Sequence, residues 1–191
     1  MMARPRVQSR DKWKSKIWYT LLAPEAFGEK EVGETPASDP KKVMGRIIRV
    51  PVNELTGNYR QGNMALFFQV DKVAGTTAKT KVSGFEVMRT YLYSIIRRRR
   101  EKLDFVQDVQ TKDGKKLRVK SVIITFGLCH ARQKKALATN MKEIVNKEVE
   151  NNDFETFLKH VLEYTPQKAV KKTSNVIFPV SHAEIRKIEL L

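Results

Sequence analysis

Hydrophobic residues recur along this chain first at two-residue intervals and then at three- and four-residue intervals, and the switch falls near Ser83. Before it, KIWYTLLAP supplies Trp18, Tyr19, Leu21 and Leu22 ahead of Pro24 and predicts a short strand or an extended anchor. The acidic EAFGEKEVGETPASDPKK that follows carries Gly and Pro and reads as a loop. VMGRIIRVPVNEL alternates around Ile47, Ile48, Val50 and Val52, while Pro51, with no amide hydrogen to donate, pushes it towards a sheet edge or bulge. Thr56-Gly57-Asn58 marks a turn, residues 64–73 a second strand closed by Gly75, and residues 76–82 a third that pairs with it. The expectation for this portion is an antiparallel meander.

Ser83 and Glu86 have the spacing of a capping box, in which serine accepts from the third helical amide and glutamate reaches back to the cap. A helix is expected to start there, with Val87, Met88, Tyr91, Leu92, Ile95 and Ile96 as its buried stripe and the four arginines at 97–100 as its last turn. Four consecutive residues encircle a helix axis, so they cannot address one surface together. The stem of Arg99 continues the apolar stripe, whereas Arg97, Arg98 and Arg100 point outward.

LDFVQDVQTKDGKKLRVKSVIITF predicts a hairpin, because Asp113-Gly114 suits a two-residue type I′ turn between two β-rich runs. That register pairs Lys112 with Lys115, Thr111 with Lys116, Val109 with Arg118 and Gln107 with Lys120. Lys116, Arg118 and Lys120 then share one face at intervals of about 7 Å, with Leu117 and Val119 turned inward. Residues 128–139, which include Arg132, Lys134 and Lys135, read as a basic connection. Asn140 and Glu143 repeat the capping spacing and introduce a helix over residues 141–150. Asn152 or Asp153 caps another, with Phe154, Phe157, Leu158, Val161 and Leu162 on one face, ending before Pro166. Residues 166–172 suit a short helix with proline in its first turn, and residues 176–180 and 183–190 two strands returning to the sheet.

Charge changes this picture more than composition does. The 191 residues, 41% of them hydrophobic, suffice for one good core, which predicts a single domain over residues 17–191 behind a basic arm at 1–16. The formal net charge is +16 and is unevenly placed. The arm sets Arg4, Arg6, Arg10, Lys12, Lys14 and Lys16 against Asp11, and residues 89–135 set fourteen basic side chains against four acidic ones. Two basic blocks on a near-neutral scaffold point to a polyanionic partner, because a field of that size attracts nucleic acid or anionic lipid. The arm has little apolar content before Trp13 and is expected to order only on a partner. Lys115, Lys116, Arg118 and Lys120 beside the arginines suit a phosphate backbone, which positions a protein without reading bases.

Catalytic chemistry is sparse. His130, His160 and His182 are scattered and stand in no metal-ligand spacing, and the single cysteine, Cys129, excludes an intrachain disulfide and a cysteine zinc cluster. No P-loop, GxGxxG or GxSxG is present. Asp104, Asp108 and Asp113, the carboxylates available as nuclease metal ligands, fall on a strand and turn crowded with cations, so the expectation is no enzyme, no cofactor and no metal. No stretch approaches a membrane span and no apolar segment follows the first arginines, which predicts a soluble intracellular protein with no membrane partner and no small-molecule substrate.

Taken in order, KIWYTLLAPEAFGEKEVGET, GRIIRVPVNEL, IIRRRREKLDFVQDVQTKDGKKLRV, MKEIVNKEVENNDF and VIFPVSHAEIRKIELL resemble the small-subunit ribosomal proteins of the S-three-a family, in their archaeal form, over nearly the whole chain. The resemblance implies an α+β fold with an antiparallel, barrel-like β core and packed helices. It implies a cytoplasmic structural constituent of the small ribosomal subunit, bound to small-subunit rRNA on the platform near the mRNA exit region. Neighbouring platform proteins, and mRNA near the exit, are the further partners it implies. It places the basic arm, the arginines at 97–100, the hairpin cations and Arg132, Lys134 and Lys135 in the blocks that meet rRNA. A free-standing RNA-binding regulator or chaperone fits the same residues and is the alternative.

Overall fold

Strands and helices are interspersed through the residues that the computed structural model describes, namely 13, 14 and 16–191. The arm residues Arg4, Arg6, Arg10 and Lys12 lie outside them. The chain divides into two units, one formed by residues up to Arg46 with residues 69–81, the other by residues 47–68 with residues 82–191.

In the first unit, β1 (Ile17–Leu22) pairs antiparallel with β2 (Glu31–Ala37), from Ile17 opposite Ala37 to Leu22 opposite Glu31. The strand β2 falls where the sequence predicts a loop. Of its seven residues only Ala37 is buried, so it has no apolar alternation to read, and its place in the sheet is set by the backbone ladder alone. Parallel pairing joins Thr20, Leu21 and Leu22 to Thr77, Ala78 and Lys79 at the start of β5 (Thr77–Val87).

In the second unit, β3 (Ile47–Pro51) runs into the short helix α1 (Val52–Thr56), which Gly57 ends at φ 72°. β3 pairs with β4 (Met64–Ala74), and β4 with β5, so the expected three-strand meander is present; the turn between β4 and β5, where Gly75 takes φ 62°, belongs to the first unit. After β5 come α2 (Arg89–Ile95), β6 (Lys102–Gln110), β7 (Lys116–Thr125), α3 (Ala131–Asn151), α4 (Phe154–Leu162), α5 (Thr165–Ile177) and β8 (Val180–Leu190). In the second unit β5, β8, β7 and β6 lie side by side in that order, each antiparallel to the next. The class is α+β, as expected, and among the described residues β6 pairs with β7 alone, so this run of strands ends on an open edge and does not close into a barrel.

The helix expected from Ser83 is strand instead as far as Val87. Ala78, Thr80, Val82, Phe85 and Val87 are buried, and Gly84, Phe85 and Glu86 stand opposite Glu189, Ile188 and Lys187 of β8. The backbone at 84–86 is therefore committed to a ladder that a capping box cannot share. Only residues 89–95 are helical, with Leu92 and Ile95 buried. Similarly, α3 is one helix of 21 residues and absorbs the predicted connection. Asn140 is no cap; its amide donates to Thr173 Oγ1 at 2.8 Å and Ser174 Oγ at 2.9 Å on α5. α5 runs through Ile177 and removes the strand predicted at 176–180, leaving Val176 exposed.

Leu137, Met141, Val145 and Val149 form the buried face of α3 at four-residue spacing, and all five apolar residues predicted for α4 are buried. With Leu117, Val119 and Ile123 of β7 and Val170 of α5 they make the core of the second unit. Each such side chain contributes roughly 1.5–3 kcal/mol when taken from water.

Candidate nucleic-acid interface

The β6–β7 hairpin orders most of the basic residues. Thr111 N–H donates to Lys115 O at 3.0 Å and Gly114 N–H to Thr111 O at 2.9 Å, with Gly114 at φ 77°. Asp113 has no positive φ, so the turn is the longer type in which glycine alone is left-handed. The consequence is a register one residue away from the prediction: Arg118 faces Asp108, not Val109, and Lys120 faces Val106, not Gln107. A one-residue slip exchanges the faces of a strand. It brings the carboxylates of β6 onto the face where Lys116, Arg118 and Lys120 lie, as expected, with Leu117 and Val119 turned inward.

Two of the three cations are occupied, Arg118 by Asp108 of β6 and Lys120 by Glu189 of β8. Arg118 grips Asp108 with two parallel hydrogen bonds, Nε to Oδ1 at 2.7 Å and Nη2 to Oδ2 at 2.8 Å. This holds the Asp108 carboxyl below its usual range and pushes the guanidinium up. Lys120 meets Glu189 at 2.7 Å, and Lys187 shares the same carboxylate at 2.5 Å, which keeps Glu189 ionised further into acid. Lys115 stands 3.9 Å from Asp113 and 5.4 Å above the Phe154 ring. Lys116 is exposed and has no ion pair among the described residues.

The four arginines are not the end of a helix. α2 stops at Ile95, and residues 97–100 form a turn in which Arg100 N–H reaches Arg97 O at 3.3 Å and Arg99 takes φ 62°. The expected division of labour is shifted by one residue. Arg99 is exposed, and Arg100 is the half-buried one: its Nη1 donates to Ser181 Oγ at 2.9 Å and its guanidinium lies 5.1 Å over Phe126. Arg97, Arg98 and Arg99 are exposed and have no ion pair among the described residues.

Directly after this turn, Glu101 ties it to the start of α3. Its carboxylate accepts from Cys129 N–H at 2.9 Å and pairs with Lys134, which hold it below the ordinary carboxylate range, the lysine bond first. Arg132 and Lys134 therefore sit in the first turn of a long helix, where the partial positive charge of the amides already repels cations, and Lys135 follows just beyond it. Arg132 and Lys135 remain exposed. Nearby His182 is held below its ordinary value by burial and by Lys171, Arg100 and Arg97, which registers the positive potential of this end. Phe126 and Leu128, both exposed, lie in the same loop.

The basic residues thus gather at two places along the hairpin. Arg97, Arg98, Arg99, Arg132 and Lys135 lie near the end of β7 and start of α3, while Lys115 and Lys116 lie at the turn, about 30 Å away along ten residues of strand. Of the arm, Lys14 is exposed and Lys16 lies 3.7 Å over the Trp13 ring. The sequence reasoning missed Arg89, Lys102, Arg186 and Lys187, which converge with Lys120 around a cavity of about 310 Å³. They are dispersed over nearly a hundred positions; the pairing of β6, β7 and β8 brings Lys102, Lys120, Arg186 and Lys187 together, and Arg89 joins them from the start of α2.

By fold and charge this is a small basic protein of the α+β class that sets several exposed arginines and a lysine, unpaired among the described residues, at one strand end and one helix start. It belongs to the Ribosomal S3Ae family, which it matches over residues 5–191. It is 44% identical to the small ribosomal subunit protein eS1 of Archaeoglobus fulgidus over 194 residues, covering 100% of this chain and 92% of the relative. The protein of the same name from Methanopyrus kandleri is 38% identical over 95% of this chain and 88% of its own length. That of Desulfurococcus amylolyticus is 34% identical over 100% and 90%.

Proposed function

We propose that this protein is a structural constituent of the small ribosomal subunit that binds small-subunit rRNA on the platform near the mRNA exit region, beside neighbouring platform proteins. One observation carries the RNA-binding part: Arg97, Arg98, Arg99, Arg132 and Lys135 are exposed and unpaired within the described residues, and one of them, Arg132, sits in the first turn of a helix, which disfavours cations. Such an arrangement costs stability until an anion covers it. Phosphates of an RNA backbone supply anions at the required density, and the relatives' ribosomal name supplies the particle. Arg100, Lys115, Arg118, Lys120 and Lys134 already have partners in the chain and act by holding the surface in shape, exchanging to phosphate at its edges.

Binding dominated by phosphate contacts is steeply salt-dependent, with a slope of log K against log salt of roughly 0.7–0.9 per contact. Five contacts predict a slope of about −4, measured by titrating a small-subunit rRNA fragment at several salt concentrations. Affinity that hardly changes over the same range contradicts the proposal. Co-sedimentation with small subunits through a high-salt wash distinguishes a resident subunit protein from a free-standing regulator or chaperone, which washes off.

A further inference from the structure

The cavity bounded by α2, β6, β7 and β8 combines features that a phosphate stripe does not need. Its floor is apolar, formed by Val87, Leu92 and Ile96, and Tyr93 stands at its side with 71% of its surface exposed. Arg89, Lys102, Lys120, Arg186 and Lys187 surround it, and Glu86 is the only carboxylate in its lining. Two further carboxylates hold these cations from outside the lining: Asp104 meets Lys102 at 2.6 Å and Arg186 at 3.7 Å, and Glu189 meets Lys120 and Lys187. Five cations against three carboxylates leave an excess of two positive charges.

Two details of the backbone set these cations in place. Lys120 and Lys187 are directly opposed on β7 and β8, where like charges repel. Immediately beyond them the register shifts, with Ser121 opposite Ile185, so Arg186 is an extra residue in β8. A bulge re-aims a side chain that strict alternation would send to the other face. Consecutive Arg186 and Lys187 consequently both line the cavity.

We propose that this cavity receives one unpaired nucleotide of a single-stranded RNA, its base lying on Tyr93 and the apolar floor and its phosphates on Arg186, Lys187, Lys102 and Lys120. The inference rests on the RNA-binding function proposed above and adds a preference to it. Duplex RNA keeps its bases stacked and can offer the site only phosphate. A single strand offers both, and base stacking on an aromatic ring is tolerant of sequence. Tyr93 is placed to stack, being largely exposed, and its side chain makes no hydrogen bond among the described residues.

The test uses the full chain and two labelled RNAs of equal length, an unstructured single strand and a blunt-ended duplex, titrated by fluorescence anisotropy. The wild type is expected to bind the single strand more tightly. Tyr93→Ala should weaken that binding about tenfold and leave the duplex unchanged, as should Arg186→Ala for the single strand, while Tyr93→Phe retains wild-type affinity. Thermal melting of each variant establishes that it is folded. A duplex bound at least as tightly as the single strand, or a Tyr93→Ala effect that is absent or equal on both RNAs, overturns the cavity proposal and leaves general RNA binding standing. Binding of neither RNA by the wild type overturns both.

Discussion

Replacing Glu184 by Gln tests how the second unit tolerates a buried carboxyl. Glu184 is buried on β8, its Oε1 accepts from the Tyr91 hydroxyl at 3.3 Å, and its Oε2 has no hydrogen-bond partner. Burial pushes its pKa up from 4.5 to about 7, against the lowering effects of the Tyr91 bond and Lys171. Between those two values the folded chain holds a proton that the unfolded chain has released, so stability falls as pH rises, and the full loss is reached above the folded pKa. At 1.36 kcal/mol per unit, the shift is worth about 3 kcal/mol. Glutamine keeps the shape and stays neutral throughout. Urea unfolding of both proteins at pH 4.5, 5.5, 6.5, 7.5 and 8.5 (about one unit apart, across the window this shift defines) gives the difference directly. The variant should gain on the wild type progressively from low to high pH, by about 3 kcal/mol in all. His182, whose lowered pKa removes stability as pH falls through 6.5, is common to both and cancels. A difference that does not change with pH, or that moves in favour of the wild type as pH rises, would refute the argument that burial governs this carboxyl.

Arg100→Ala should cost about 1–2 kcal/mol, because it loses the hydrogen bond to Ser181 and the stack on Phe126, whereas Arg98→Ala should change stability by less than about 0.5 kcal/mol and still weaken RNA binding. Equal melting temperatures for the two variants would show that the arginine turn is wrongly understood. Arg99→Gly relieves a left-handed φ of 62° and should raise stability by about 1 kcal/mol in urea unfolding. Gly84→Ala would place a Cβ 2.6 Å from Ile188 O, forcing β5 and β8 apart at a cost of about 1–3 kcal/mol; an unchanged urea midpoint would exclude that close approach.

What the sequence displays and what it hides follow from how each element is held. The face of α4 and the strand β8 are legible because apolar side chains alone decide them: Phe154, Phe157, Leu158, Val161 and Leu162 repeat with the helix, and every one is buried. The hairpin is legible as a pair of strands, but its register depends on whether Asp113 joins Gly114 in the left-handed region, which the dipeptide does not determine. Ser83 and Glu86 show a true capping pattern that the β5–β8 ladder overrides. β2 is invisible because its strand character comes from β1 alone. The same holds at the candidate interface. The arginines at 97–100 and the cations of α3 are visible as sequence blocks, but which arginine is held, and the meeting of Arg186 and Lys187 with Lys102 and Lys120, are products of pairing between distant strands.

The most direct measurement is ultraviolet crosslinking of purified small ribosomal subunits followed by mass spectrometry of this protein's peptides. The account predicts rRNA adducts on the segments around Arg97, Arg98 and Arg99 and around Arg132 and Lys135. Subunits that contain the protein but whose rRNA crosslinks fall only on residues 17–61, with none at those arginines or at the start of α3, would contradict it.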